Sequence, residues 1–282
     1  RRNQKLIEES PPVWLSEFGK EELKKATLMI AESSNYINAG TVEFLADNDE
    51  NFYFLEMNTR LQVEHTVTEM RYGIDIVKEQ IKIALGNSLE DFETEARGHS
   101  LEFRINAEDP TNNFLPTPGI ITEYREPMGN GVRVDGWVKT GTSISHFYDN
   151  LISKLVVWGV SREEAISKGK RCLDEYIIGG IPTTISLLSQ VISTKEFKES
   201  QIHVKFLEEN FKIKDISEEE IISDRPSKVN ISLDDNESQS LAPQRPKKIG
   251  MDLTGNIRNP GIIKADMQGT IMDTMTKKGK KV

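Results

Sequence analysis

The sequence Phe52-Tyr53-Phe54-Leu55-Glu56-Met57-Asn58-Thr59-Arg60-Leu61-Gln62-Val63-Glu64-His65 passes from an aromatic, apolar run into a dense series of polar side chains. The apolar part is typical of a β-strand. A second run of this kind, Thr41 to Leu45, comes before it, and the residues between the two, Asp47 to Asn51, are turn-forming. We therefore predict a β-hairpin whose second strand leads into the polar series.

Side chains alternate between the two faces of a strand, so Glu56 and Asn58 point to the same face. Glu43, on the partner strand, can reach that face as well. Two carboxylates and an amide oxygen form the hard, all-oxygen environment that Mg²⁺ prefers. On this geometry alone, a solvated pair of glutamates on an edge strand is an equally good interpretation.

The residues after the strand favour the functional interpretation. The guanidinium of Arg60 can grip a small planar oxyanion, Gln62 adds a neutral donor, and Glu64 adds a carboxylate that can act as a base. A metal site, an oxyanion site and a base together suggest ATP-dependent activation of a carboxylate-like substrate.

The rest of the pattern predicts an α+β protein. Ser16 is a candidate N-cap for the first predicted helix. The predicted helices cover residues 16–34, 66–85, 162–176, 183–191 and 204–211. Further strands are expected at 101–105, 120–124 and 151–158, broken by prolines and by the glycine-rich stretch 129–136. Residues 213–258 are polar and contain several prolines, as expected of a linker, and an alternating pattern begins at about residue 259.

Composition excludes several classes of protein. With 37% hydrophobic and 29% charged residues the chain has an ordinary globular balance, and its net charge of −9 argues against nonspecific nucleic-acid binding. It contains no apolar run of membrane-spanning length. The single cysteine, Cys172, excludes an internal disulfide and a cysteine-rich zinc site, which fits a cytoplasmic location. Since the chain begins with Arg1 and stops at Val282 within an alternating pattern, we expect an internal piece of a longer protein.

Several motifs resemble the biotin carboxylase modules of acyl-CoA, pyruvate and urea carboxylases. They are the run from Glu56 to His65 together with Arg1-Arg2-Asn3-Gln4-Lys5, Gly40-Thr41-Val42-Glu43-Phe44 and Arg104-Ile105-Asn106-Ala107-Glu108-Asp109-Pro110. Near the end, Ala265-Asp266-Met267-Gln268-Gly269-Thr270 resembles the start of a biotinyl domain. The resemblance implies the C-terminal part of an ATP-grasp domain over 1–86, a biotin carboxylase C-terminal domain over 98–211, a flexible linker over 213–258 and the start of an all-β biotinyl domain over 259–282.

The resemblance also implies roles for individual residues. The metal ligands for Mg²⁺ or Mn²⁺ would be Glu43, Glu56 and Asn58. The catalytic residues would be Lys5, Arg60, Glu64 as the base, and Arg133, which would stabilise the biotin enolate. Bicarbonate and biotin would be bound by Lys5, Arg60, Gln62, Val63 and Arg133. The ATP-binding positions would be Asn3, Glu43, Leu45, Leu55, Glu56 and Ile202.

Two positions depart from the family pattern. Asn3 stands where many members have a histidine that helps to hold the nucleotide. Thr66 stands where a proline is common, and we expect this change to affect the start of the following helix without touching the site.

The implied reaction is ATP-dependent carboxylation of biotin by bicarbonate through carboxyphosphate. The implied partners are ATP, bicarbonate, a biotinyl carrier domain, a carboxyltransferase and further copies of the module, and the implied acceptor is acetyl-CoA or propionyl-CoA. Pyruvate or urea carboxylation remains open, as does another ATP-grasp ligase such as a carbamoyl phosphate synthetase-like enzyme. A non-enzymatic scaffold that docks a carrier domain fits the polar series poorly. We expect the 282-residue chain alone to be inactive, because the family's phosphate lid and adenine hinge precede Arg1.

Overall fold

The computed structural model describes residues 4–89 and 95–210. These residues all fall within one compact unit, Arg1–Asn230. The predicted linker at 213–258, the predicted biotinyl segment at 259–282 and the predicted nucleotide contact Asn3 lie outside the described residues. Within the described ranges, every helix is too short or too polar to cross a bilayer.

The fold mixes helices with antiparallel strands, as the α+β prediction requires. The helices are α1 Glu17–Ser33, α2 His65–Tyr72, α3 Ile76–Ala84, α4 Arg162–Glu175, α5 Ile185–Ser193, α6 Lys195–Lys198 and α7 Phe206–Asn210. The longer strands are β1 Ile7–Ser10, β2 Thr41–Ala46, β3 Phe52–Asn58 and β4 His99–Asn106. The remaining strands are β5 Glu108–Asp109, β6 Leu115–Pro116, β7 Gly119–Ile120, β8 Glu123–Arg125, β9 Val132–Gly136, β10 Ser143–Ile144, β11 Leu151–Gly159 and β12 Ile177–Gly179.

The central element is a four-stranded antiparallel sheet in the order β1-β4-β11-β9. One face of it is apolar: Leu101, Phe103, Leu155 and Val157 are fully buried and belong to the main hydrophobic core. Helices α4 and α5 pack over this face, with α4 against β4 and β11 and α5 against β4 and α4. Alternation along the strands therefore sends the intervening, mostly charged side chains to the opposite face.

That opposite side is called the charged face here, and it packs against α2. Its members are Glu8 on β1, Glu102 and Arg104 on β4, Lys154 on β11, and Arg133 and Asp135 on β9. The register places Glu8 opposite Glu102, and Lys154 opposite both Arg104 and Asp135. Burying so many charges requires each to have partners.

The predicted hairpin is confirmed. Strands β2 and β3 pair in antiparallel register, with Glu43 opposite Glu56 and Thr41 opposite Asn58. The predicted N-cap Ser16 is also confirmed, because its hydroxyl accepts a hydrogen bond from the amide of Gly19 at 3.0 Å. Glu50, in the hairpin turn, accepts hydrogen bonds from the amide and hydroxyl of Ser16, which fixes the turn to the start of α1.

Three predictions about elements are wrong. The single helix over 66–85 is two helices, because Gly73 adopts a left-handed conformation (φ 66°) and Asp75 caps a new helix start by accepting from the amide of Lys78. The strand expected at 120–124 is two short strands, β7 and β8, which pair with different partners. The stretch 129–136, expected to break the sheet, contains β9 at its edge.

Candidate active site

A cleft of about 380 Å³ opens between the hairpin and the edge of the charged face. Its walls carry most of the polar residues singled out from the sequence. The lining residues are Gln4, Lys5, Glu43, Glu56, Arg60, Gln62, Val63, Glu64, Arg104, Asn106, Glu108, Asp149, Asn150 and Leu151.

The predicted metal ligands converge at the end of the hairpin that lies away from its turn. The side-chain amide of Asn58 donates to Glu43 at 3.1 Å and to Glu56 at 2.9 Å. Glu43 Oε1 accepts two further hydrogen bonds, from Gln62 at 2.6 Å and from Lys5 at 3.1 Å. A cation bound here would replace some of these donors, and turning the Asn58 amide over would present to it the oxygens of Glu43, Glu56 and Asn58.

Lys5 joins this cluster to the predicted base. Its ammonium donates to Glu64 as well as to Glu43. The other oxygen of Glu64 accepts from the guanidinium of Arg104 at 2.9 Å. The residues Glu43, Lys5, Glu64 and Arg104 thus form one continuous chain of ion pairs along the wall of the cleft.

Both carboxylates in this series of ion pairs, Glu43 and Glu64, are kept ionised by their neighbours. Burial acts to raise the pKa of Glu64, but the hydrogen bond from Lys5, the local backbone and the charge of Arg104 outweigh it and lower that pKa. The hydrogen bond from Gln62 lowers the pKa of Glu43 against a smaller effect of burial, and Lys5 adds to the lowering. Burial acts to lower the pKa of the Lys5 ammonium, but Glu64 and Glu43 outweigh it and raise that pKa.

The predicted oxyanion residues also line the cleft. Arg60 is exposed and donates to Asn58 Oδ1 at 3.4 Å and to the carbonyl of Leu61 at 3.2 Å, so it has donors to spare for a ligand. Gln62 Oε1 is buried and makes no hydrogen bond within the described residues. The carbonyl of Val63 accepts from Lys154 at 2.8 Å, which holds this segment against the sheet.

Arg133 is not brought to the cleft. Its guanidinium forms a bidentate pair with Asp135, at 2.8 and 2.7 Å, and a third hydrogen bond to Glu69 of α2 at 2.7 Å. The hydrogen bonds from Arg133 to Asp135 and Glu69 raise the pKa of Arg133. Three of its five N–H donors are thus directed to carboxylates of the charged face and of α2.

Arg104, which the sequence did not single out as a site residue, lines the cleft instead. It lies on β4, two residues from Glu102, and bridges Glu8 and Glu64. One signal for it was present: a charged residue alternating with the apolar Leu101, Phe103 and Ile105 on a buried strand needs a partner or a function.

The predicted adenine contacts are not assembled. Leu45 and Leu55 lie on the hairpin and Ile202 lies between α6 and α7. Each is at least 40% exposed, and none lines the cleft formed by the described residues.

Thr66, which stands at the start of the predicted helix where the family commonly has proline, contacts the charged face. Its hydroxyl donates to Glu102 on the charged face, and Thr66 itself is fully buried. Neither Thr66 nor Glu102 lines the cleft, so the expectation that this substitution does not touch the site stays a prediction.

Comparison with known proteins assigns both parts of the chain to known sequence families. The family described as carbamoyl-phosphate synthase L chain, ATP binding domain, matches residues 1–92, and the biotin carboxylase C-terminal domain family matches residues 102–209. A pyruvate carboxylase component of Methanothermobacter thermautotrophicus is 49% identical over 211 residues, which cover 74% of this chain and 43% of that protein. The biotin carboxylase of a Nostoc species is 46% identical, covering 74% of this chain and 47% of its own length. The chain thus spans less than half the length of these relatives.

Solved structures of biotin carboxylase modules align with the chain as well. The biotin carboxylase domain dimer of Hydrogenobacter thermophilus 2-oxoglutarate carboxylase, in complex with MgADP, ADP and bicarbonate, aligns with a TM-score of 0.74 and 43% identity. The alignment covers 77% of this chain and 49% of that one. Urea carboxylase of Kluyveromyces lactis aligns with a TM-score of 0.72 and 40% identity, covering 75% of this chain and 19% of that one. Through its ATP-binding and C-terminal domain segments, the chain belongs to the biotin carboxylase family.

Proposed function

We propose that this chain forms the C-terminal part of an ATP-dependent biotin carboxylase module within a complete biotin-dependent carboxylase. The observation that carries the proposal is the continuous ion-pair chain from Glu43 through Lys5 and Glu64 to Arg104. It joins a cation site, an anion site and a base in one cleft. The reaction that uses all three is phosphoryl transfer from MgATP to bicarbonate, followed by carboxylation of biotin.

The oxygens of Glu43, Glu56 and Asn58 would hold Mg²⁺ or Mn²⁺. The two carboxylates are already held together by the Asn58 amide, and the lowered pKa of Glu43 keeps it ionised. The ion, when bound, would neutralise charge on the ATP phosphates. Lys5, adjacent to Glu43, would place a second positive charge beside the transferred phosphoryl group.

Bicarbonate fits the other end of the cleft. Arg60 and Lys5 would bind its charged oxygens, beside Gln62 in the same wall of the cleft. Glu64 would accept the hydroxyl proton, so that the carbonate oxygen can attack the γ-phosphorus and displace ADP. The resulting carboxyphosphate would release phosphate and CO₂ beside biotin.

Arg104, rather than Arg133, is proposed to stabilise the oxyanion that forms on biotin. Arg104 lines the cleft and contacts the base Glu64, whereas the donors of Arg133 are directed to Asp135 and Glu69. A cation next to the base is well placed to meet negative charge that develops during proton transfer.

Bicarbonate-dependent ATP cleavage by the complete carboxylase, with free biotin added, tests the assignment. Glu56→Ala, Arg60→Ala and Arg104→Ala should each lower the biotin-stimulated rate by about 10²-fold or more, the usual effect of removing a group that stabilises charge in the transition state. Arg97→Ala and Glu123→Ala remove exposed charges outside the cleft and should leave the rate unchanged. Full activity in Arg104→Ala, with loss in Arg133→Ala, would reverse the choice between the two arginines.

We further propose acetyl-CoA or propionyl-CoA as the final acceptor, with the module acting as a homo-oligomer in the cytoplasm beside a carrier domain and a carboxyltransferase. Support comes from the biotinyl-like segment in the same chain and from 44% identity over 211 residues to the propionyl-CoA carboxylase alpha chain of Sus scrofa. Incorporation of labelled bicarbonate into acetyl-CoA, propionyl-CoA, pyruvate, 2-oxoglutarate or urea by the complete enzyme would identify the acceptor directly.

Another ATP-grasp ligase is the second candidate, because the family that matches residues 1–92 is described from carbamoyl-phosphate synthase. The biotin carboxylase C-terminal family over residues 102–209 favours the carboxylase. ATP cleavage by the complete enzyme without any response to biotin would favour the other ligase.

A further inference from the structure

Behind the cleft, two buried glutamates face each other across neighbouring strands. Glu8 on β1 lies directly opposite Glu102 on β4, so their side chains share the charged face at close range. Glu102 is fully buried, and the side chain of Glu8 is 9% exposed. Two carboxylates this close and this buried are costly if both are ionised.

Each glutamate has one oxygen fixed by a donor and one without. Glu8 Oε1 accepts from Arg104 at 2.6 Å, and Glu102 Oε2 accepts from the hydroxyl of Thr66. Glu8 Oε2 and Glu102 Oε1 are both buried and make no hydrogen bond within the described residues. A proton on either carboxyl would provide a donor where the described residues offer none.

We propose that Glu8 and Glu102 share one proton, and that this protonated pair positions Arg104 so that its guanidinium reaches the cleft. This rests on the proposed function in assigning a role to Arg104. With one proton, the pair holds a single negative charge, and Arg104 can bridge Glu8 and Glu64. Without the proton, two buried negative charges draw Arg104 away from Glu64 and from an anion in the cleft.

The surrounding charges are compatible with one proton on the pair. The titratable and charged groups that face it come from every element packed on the charged face: Arg104 on β4, Lys154 on β11, Arg133 and Asp135 on β9, His65 and Glu69 on α2, and Glu64 before α2. Burial is the largest influence on both glutamates and raises the pKa of each well above its ordinary range, against the opposing charge of Arg104. The charge of Lys154 on β11 also opposes the rise in the pKa of Glu102, and burial lowers the pKa of Lys154 itself.

Infrared spectroscopy of the 282-residue chain tests the shared proton without requiring activity. The wild-type chain should show the carbonyl stretch of a buried protonated carboxyl at neutral pH, and the band should disappear as the pH rises. Glu102→Gln should lack the band, because Glu8 then remains ionised beside Arg104. Glu9→Gln removes the neighbouring β1 carboxylate, which pairs with His99 and Arg162 on the other side of the sheet, and should keep the band.

The positioning role is tested in the complete carboxylase by the pH dependence of the KM for bicarbonate. In the wild type, KM should rise at alkaline pH by up to about tenfold per pH unit, as the binding-competent fraction falls. Glu102→Gln, whose amide imitates a permanently protonated partner, should retain kcat at neutral pH and lose this alkaline rise, whereas Glu102→Ala should not retain kcat.

The outcomes distinguish the shared proton from the positioning of Arg104. Absence of the infrared band in the wild type, or its persistence in Glu102→Gln, overturns the shared proton. A band that behaves as expected, with the same alkaline rise of KM in Glu102→Gln, overturns the positioning role. A complete enzyme that ignores bicarbonate overturns the proposed function and leaves the infrared result standing.

Discussion

Lys5 is the residue on which the geometry of the cleft depends most, because its ammonium contacts both Glu43 of the cation site and Glu64, the proposed base. A lysine shared in this way keeps two carboxylates ionised and close together without allowing their repulsion to dominate. A bound metal ion would replace part of the positive charge that Lys5 supplies to Glu43, and a bound anion would compete with the two carboxylates for the ammonium.

Replacing Lys5 by methionine should raise the pKa of Glu64. The hydrogen bond from Lys5 is the largest of the effects that lower it, and burial, which acts in the opposite direction, would then dominate. The expected result is a higher pKa of Glu64 in Lys5→Met than in the wild type. Carbon-13 NMR titration of labelled glutamates measures it. Lys20→Met, which removes a lysine paired with Glu17 on α1, is the matched control and should leave Glu64 unchanged. An unchanged pKa in Lys5→Met would contradict the ion pair.

Local geometry accounts for the convergence of the three predicted metal ligands, but it does not decide which arginine lines the cleft. Glu43, Glu56 and Asn58 are related by the two-residue period of one hairpin, so local geometry is sufficient to bring them together. The choice between Arg104 and Arg133 depends on which strand of the four-stranded sheet borders the cleft. That order is set by pairings between strands far apart in sequence, which a local pattern does not contain.

Among the elements, the break between α2 and α3 depends on Gly73, which has φ 66° and open space around the position of a Cβ. Gly73→Ala should therefore cost stability through backbone conformation alone, by about 1 kcal/mol. Gly73→Asn should cost less, because asparagine tolerates the left-handed conformation better. Denaturant unfolding of both variants measures the difference. Equal losses would show that the cost is not conformational.

Helix α4 lies close to the sheet at Gly169, where an added Cβ would approach the ring of Phe103 to 2.9 Å and Ile192 to 3.0 Å. Alanine normally stabilises a helix interior by about 1 kcal/mol relative to glycine. Overpacking against a fully buried ring costs about 1–3 kcal/mol and should prevail, so Gly169→Ala should lower the free energy of unfolding. Ser167→Ala, at an exposed position on the same helix, should leave it unchanged or raise it slightly. Stabilisation by both substitutions would contradict the close packing.

Strong local signals made most elements predictable. The hairpin and α1 have aromatic runs, turn residues and a serine cap, and they were found. The split at Gly73 could have been inferred from the following Asp75, a good N-cap, but continuous apolar periodicity on either side concealed it. Strand β1 has the sequence Ile-Glu-Glu-Ser and gives almost no strand signal, since it is defined by pairing with β4.

At the scale of the whole molecule, the sheet separates two environments. Its apolar face, with α4 and α5, supplies the core, and its charged face, with α2, supplies the cleft. The charged face is held together by ion pairs such as Arg104 with Glu8 and Arg133 with Glu69. The removal of one member of a buried pair generally destabilises more than the pair itself contributes, because the remaining charge is left without a partner.

The pKa shifts of the glutamates predict how the free energy of unfolding depends on pH. Glu9, Glu43 and Glu64 have lowered pKa values, so the stability they contribute is present above the ordinary glutamate pKa and is lost as the pH falls. Glu8 and Glu102 have raised pKa values, so the stability linked to their proton is present below the ordinary glutamate pKa and is lost as the pH rises through the raised values. The two effects occupy different pH ranges, which allows them to be measured separately.

The free energy of unfolding of the 282-residue chain should therefore decrease as the pH rises above the ordinary glutamate pKa, by up to about 1.4 kcal/mol per pH unit for each proton retained only in the folded state. Urea unfolding at a series of pH values measures it. Glu102→Gln should reduce this slope, because its amide is neutral and has no proton to lose. Glu9→Gln should keep the slope and instead weaken the loss of stability at acid pH, because Glu9 has the opposite sign of pKa shift. The absence of this slope in the wild type would mean that the buried pair is ionised throughout, whereas an equal slope in Glu102→Gln would mean that the retained proton does not depend on Glu102.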